Sequence, residues 1–149
     1  MIAVQVSKRN VRIGGKRREF KANQSWKEID GRKIFFRSDW EYKFAVWLQR
    51  LKEANAIKDW QHEPETFWFN EIKRGTRSYL PDFKVINTDG SHYWVEVKGY
   101  MDAKSKTKIR RFRKYYPNEP LMVADSKWFK DEAKAFGVYK TAEGEWKSV

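Results

Sequence analysis

The chain contains no cysteine among its 149 residues. That excludes disulfides, thiolate zinc sites and cysteine nucleophiles, and nothing argues for an oxidising compartment. Long apolar runs are missing as well. No stretch approaches the uninterrupted length of a membrane span, and the N-terminus "MIAVQVSKRN" has no signal-peptide core. A cytoplasmic protein without a membrane partner is expected. Histidine is scarce: the two residues, His62 and His92, read as strand or turn positions and not as a metal site. A Gly-rich phosphate loop of the Walker type is absent, so no nucleotide cofactor is expected.

What the chain has in excess is positive charge. Lys and Arg outnumber Asp and Glu by 32 to 20, a formal charge of +12. The aromatic content of 17%, with eight Trp, is too high for a disordered basic tail. A folded, strongly basic domain most often meets a polyanion, which makes nucleic acid the leading partner. The Trp-rich stretches "DWQHEPETFWF" and "KWF" could stack on unpaired bases. Core and subunit-interface packing is the better reading for so many Trp in a small domain.

The length fits one ordinary domain. Residues 1–24 stand apart as a basic N-terminal arm, since "SKRNVRIGGKRREFKANQ" holds seven Lys or Arg and little to bury. Ahead of it Ile2, Val4 and Val6 alternate like a short strand. In the remaining domain, 25–149, "IDGRKIFF" reads as a turn at Asp30-Gly31 followed by a strand. The spacing of Trp40, Phe44, Trp47, Leu48 and Leu51 predicts a helix, with Ser38 as its N-cap. "IKDWQHEP" and "ETFWFNEI" suggest one strand pair; "RGTRSYLPDFKVI" and "HYWVEVKGY" suggest another, joined by "NTDG". A second helix spans 104–116, with Ile109, Phe112 and Tyr116 on one stripe and seven basic side chains elsewhere. "PLMVAD" predicts a buried strand, and "SKWFKDEAKAFGV" a third helix ending near Gly137. The expected architecture is α/β, a central mixed sheet flanked by helices.

One stretch carries chemistry. "HYWVEVKGY" alternates like a half-buried strand, with Val95 and Val97 on the core side and Trp94, Glu96 and Lys98 opposite. A Pro-Asp step, Pro81-Asp82, opens the preceding strand. Carboxylates on adjacent strands can share hard divalent cations, which favour oxygen ligands. Such an ion activates water and offsets charge on a scissile phosphate. A neighbouring lysine can orient that water or stabilise the transition state, and the Val97 carbonyl is available as a further ligand. Taken singly, Pro-Asp is a strand breaker and Glu-x-Lys a solvated edge; together, amid excess positive charge, they favour a phosphate-handling site. Glu41 has a structural reading of its own, because "SDWE" satisfies the capping-box template with Ser38.

"PD" at 81–82 followed by "EVK" at 96–98 resembles the signature of the PD-(D/E)xK nucleases. The wider pattern of "FFRSDWE", "YLPDF" and "VEVKGY" resembles phage endonuclease I, a family of junction-resolving enzymes, and related small phage or homing endonucleases. The likeness covers roughly residues 28 to 125, with a longer middle section around "NEIKRGTRS" and an N-terminal segment without counterpart. It implies a restriction-endonuclease-like core for 25–149, Mg2+ or Mn2+ as cofactor, a homodimer, and a bacterial or phage-infected cell as its setting. It carries Glu41, Asp82, Glu96 and Lys98 to the catalytic positions, with Asp82, Glu96, Glu41 and the Val97 carbonyl as metal ligands. DNA phosphates would meet Lys16, Arg17 and Arg18 on the arm, Arg37, Arg77, and Lys104, Lys106, Lys108, Arg111 and Arg113 on the second helix.

These features imply a metal-dependent endonuclease acting on branched DNA, chiefly four-way junctions. A homing-type enzyme of the same fold, cutting a particular duplex site, is the alternative, because the enlarged middle section and the arm suit base reading equally. A non-catalytic DNA-binding module is the reading from a different class. The complete Asp82, Glu96 and Lys98 set argues against it.

Overall fold

A computed structural model describes residues 24–131 in full, together with the backbone of 8–13, 16–21, 132–135, 138–140 and 146–148. Within the basic N-terminal segment, β1 (Lys8–Ile13) and β2 (Lys16–Lys21) pair antiparallel. The alternating Ile2, Val4 and Val6, the side chains of the arm and the predicted helix stop at Gly137 lie outside the described residues.

The turn at Asp30-Gly31 joins two strands, β3 (Ser25–Ile29) and β4 (Arg32–Phe36), where only the second is predicted. Asp30 and Gly31 take φ of 51° and 74°. Positive φ at both central residues is the turn geometry whose twist matches a tight hairpin. Next comes α1 (Asp39–Glu53), capped as predicted: Ser38 Oγ accepts the Glu41 N–H at 3.2 Å.

The chain continues through β5 (Asp59–His62), β6 (Phe67–Trp68), β7 (Ser78–Tyr79), β8 (Phe83–Ile86), β9 (His92–Val97) and α2 (Ala103–Tyr115). It then forms β10 (Leu121–Ala124), α3 (Ser126–Ala135), β11 (Val138–Lys140) and β12 (Trp146–Ser148), the last two strands pairing antiparallel. The central sheet has four strands in the order β10-β9-β8-β5, with β10 parallel to β9 and the other pairs antiparallel. With three helices among the described residues, the protein is α/β with a mixed sheet. Among those residues no helix is long and apolar enough to cross a membrane.

Two expectations fail here. The first is the pairing of "IKDWQHEP" with "ETFWFNEI". Instead β5 pairs with β8, Trp60 opposite Val85, and β6 pairs with β7. Apolar burial decides this, because Trp60 belongs to one core and Phe67 and Phe69 to another. Between them Glu63, at φ 46°, turns the chain out of β5.

The second concerns β9, which is buried on both faces and not on one. Val95 and Val97 pack with Phe44, Ala45 and Leu48 of α1, Phe83 and Val85 of β8, and Phe129 of α3. On the opposite face Trp94 joins Phe67, Phe69, Tyr79 and Phe112, its ring centroid 4.9 Å from that of Phe67. The sheet is thus a middle layer, with α1 and α3 on one side and α2 with β6–β7 on the other. A two-sided strand no longer needs a polar face, so the alternation of "HYWVEVKGY" separates two cores and not core from water. Trp47, Trp60 and Trp94 are buried within the chain, Trp40 and Trp128 pack against the first core, and Trp26 and Trp68 are exposed.

Trp94→Ala tests the second core. Removing a buried indole should cost about 3–5 kcal/mol in urea unfolding, like other large aromatic truncations. A cost near zero would return Trp94 to a solvated face.

Candidate active site

Because β8 and β9 run antiparallel, the start of one and the end of the other share an edge of the sheet. Asp82 stands just before β8, and Glu96 and Val97 close β9. The Val97 N–H donates to Asp82 Oδ2 at 2.7 Å, tying the two strand ends together. Buried Pro81 restricts the backbone immediately before the carboxylate. The first turn of α1 brings Glu41 to this edge, and the first turns of α2 bring Ser105 and Lys108.

These elements enclose a cleft of about 510 Å³. Glu41, Asp82, Glu96 and Lys98, the four catalytic positions named from sequence, all line it. Arg37, Tyr79, Ser105 and Lys108 complete much of its wall.

The cleft concentrates negative charge where water is scarce. Asp82 is held well above the ordinary carboxylate range, first by burial, then by the charges of Glu96 and Glu41; the Val97 hydrogen bond pulls the other way. Glu96, 9% exposed, is also pushed up by burial. The Tyr79 hydroxyl, which donates to Glu96 Oε2 at 2.5 Å, and the Lys98 charge both oppose that shift. Tyr79 itself is raised, by burial and then by Glu96, so it remains a donor at any ordinary pH.

Glu41 forms half of the predicted capping box. Its N–H is received by Ser38 Oγ, and its carboxylate lies between Ser38 and His62. Glu41 Oε1 accepts weakly from Ser38 Oγ at 3.4 Å, while buried Oε2 has no hydrogen-bond partner. Crowded carboxyl groups with an orphaned oxygen are the kind of donors a hard divalent cation satisfies. Among the described residues, however, the group whose ligand atoms all lie within 4.8 Å of one another is Glu41, His62 and Glu63, not Glu41, Asp82 and Glu96.

Three participants were not legible as site residues. Tyr79 lies in "YLPDF", but its hydroxyl gains a role only when β7 is placed beside Glu96. Glu63 and His62 follow from β5 pairing with β8, where the Glu63 N–H donates to the Asp82 carbonyl at 2.8 Å. His62 is a strand residue as predicted, yet its Nε2 lies 3.6 Å from Glu41 Oε2, and Glu41, His62 and Glu63 together could hold a metal ion.

The basic residues divide. Arg37 lines the cleft mouth and pairs with Glu63 at 2.9 Å. Lys108 faces the cleft, whereas Lys104 and Lys106 are exposed on α2. Arg111 donates to the Thr76 carbonyl and Arg113 to the Leu121 carbonyl at 3.3 Å. Arg77 is exposed. The side chains of Lys16, Arg17 and Arg18 lie outside the described residues. No protein-family model matches the chain, and no curated protein matches it in sequence.

Raised carboxyl pKa values have a defined sign in stability. A group whose folded value exceeds its unfolded value leaves stability intact at low pH and removes it as pH rises through the folded value. Asp82→Asn can still accept from Val97 and carries no charge. Its stability relative to wild type should therefore grow as pH rises above the ordinary carboxylate range in metal-free calorimetry. A difference that does not change with pH would contradict the crowding of ionised groups.

Proposed function

We propose that this protein is a metal-dependent DNA endonuclease with a restriction-endonuclease-like core, hydrolysing phosphodiester bonds in branched DNA. The observation that carries the reading is the meeting of Glu41, Asp82, Glu96 and Lys98 in one cleft, from three separate segments of the chain. The +12 charge supplies the complement to a polyanionic substrate.

Asp82 and Glu96 would hold a Mg2+ or Mn2+ ion, with Glu41 and the Val97 carbonyl as further ligands. When bound, that ion supplies acidity to a nearby water and charge to offset the phosphate's. The chain's own groups do the rest. Tyr79 anchors Glu96 through its hydroxyl, and the Val97 N–H anchors Asp82, so neither carboxylate must reorganise. Lys98, half-buried at the end of β9, orients the attacking water or stabilises charge developing on the phosphate. Arg37 and Lys108, at the cleft wall, would position the phosphodiester. Two such sites in a homodimer would address two strands of a junction.

The test is to incubate the protein with Mg2+, an immobile four-way junction and a mixed-sequence duplex library, and to map the cuts. Symmetric cuts at the junction are expected. Cuts confined to one duplex sequence would indicate the homing-type enzyme, and no cutting with intact binding the non-catalytic module. Asp82→Ala and Glu96→Ala should abolish cleavage while leaving DNA affinity within a few-fold, since affinity comes from Lys and Arg on phosphates. Wild-type cutting by Asp82→Ala would misplace the site.

Glu41→Gln separates two roles at one position. A neutral amide serves a capping box but is a poor ligand for a hard cation. Cleavage should fall by at least tenfold with the fold intact by circular dichroism. Full activity would reduce the site to Asp82, Glu96 and Lys98.

A further inference from the structure

The wall between the cleft and a neighbouring groove carries a second group of donors. Glu41, His62 and Glu63 each offer one ligand atom, and the three atoms lie within 4.8 Å of one another. His62 Nε2 stands 3.6 Å from Glu41 Oε2 and 4.0 Å from Glu63 Oε1. The His62 and Glu41 side chains are each only 10% exposed. Their facing atoms, Nε2 and Oε2, are buried and have no hydrogen-bond partner. Two unsatisfied polar atoms buried face to face ask for something that satisfies both.

Ligand atoms around a small dication sit about 3.0–3.4 Å apart, for bonds of about 2.1 Å. The two His62 distances, 3.6 and 4.0 Å, are a few tenths of an ångström wider, and the three atoms lie within 4.8 Å of one another, so the carboxylates close in on the ion by side-chain adjustment. The surroundings hold the ligands in place. Phe36 and Phe83 pack on the His62 ring, with centroids 5.0 and 5.3 Å away. Arg37 donates to Glu63 Oε1 at 2.9 Å, orienting a carboxylate that keeps further lone pairs for an ion. His62 and Glu63 also line an open groove of about 930 Å³, which gives an ion a path from solvent.

We propose that Glu41, His62 and Glu63 form a binding site for one transition-metal dication, Zn2+ or Mn2+, separate from the Asp82–Glu96 pair and joined to it through Glu41. One imidazole with two carboxylates selects such ions over Mg2+, which prefers an all-oxygen shell. Glu41 thereby becomes the carboxylate through which one site senses the other. The proposal goes beyond the nuclease reading and shares with it Glu41 and the supporting Arg37.

Calorimetric titration of the full chain with Zn2+ alone tests it. Wild type should bind Zn2+. His62→Phe, which keeps the ring packing, and Glu63→Gln should each weaken that binding at least tenfold. His92→Ala should leave it within twofold. The proposal is overturned if wild type binds no Zn2+, if both His62→Phe and Glu63→Gln bind it as wild type does, or if Glu96→Gln abolishes it. A protein that binds Zn2+ through His62 but cuts no DNA would refute the nuclease reading alone. One that cuts DNA while its Zn2+ affinity ignores His62 and Glu63 would refute this site alone.

Discussion

Glu41, Asp82 and Glu96 face one cleft, and keeping three carboxyl groups together out of water is the constraint on which the surrounding structure depends. Mutual repulsion and burial both favour separation or protonation. The groups are nevertheless held by directed bonds: Val97 N–H to Asp82, and the Tyr79 hydroxyl to Glu96. Both donors belong to elements locked by the core, so the acidic cluster cannot relax by swinging outward. The acidic cluster stands within a chain whose formal net charge is +12.

Rigidity at the cleft comes from the layers on either side of the sheet. Val95 and Val97 are gripped by α1 and α3, while Trp94 is gripped by α2 and the β6–β7 pair. Glu96 lies between Val95 and Val97 in sequence and on the Trp94 side in space. Its carboxylate therefore emerges from a strand that has no free face. Phe112 of α2 packs edge-on to Tyr79, centroids 5.3 Å apart, so the helix that carries Lys108 into the cleft also positions the Tyr79 ring. Packing and site chemistry here use the same residues.

The β5 edge adds a second level of organisation. Pairing of His62 with Phe83 brings Glu63 beside Asp82, and the Glu63 charge contributes to raising Asp82. Arg37 offsets that charge from the solvent side. Carboxylates, imidazole and guanidinium thus extend from the cleft into the neighbouring groove as one electrostatic unit, with Glu41 at its centre.

The sequence by itself determined the helices, the Asp30-Gly31 turn and the four cleft residues. Each of these is a local or short-period property: apolar spacing, a Ser cap, two residues able to take positive φ, and a Pro-Asp step followed by Glu-x-Lys on one strand. Only tertiary structure decided which strand β5 would join and that β9 would be buried twice, because strand partners are chosen by which distant surfaces bury together. The same holds for Tyr79, His62 and Glu63. Tyr79 stands just before the Pro81-Asp82 step, but nothing local marks its hydroxyl, and His62 and Glu63 carry no local signal; all three become part of the site when β7 and β5 are laid in place. Glu41 stands between the two cases. Its position in the first turn of α1 follows from Ser38, but that its second carboxylate oxygen meets His62 depends on β5 being laid beside β8.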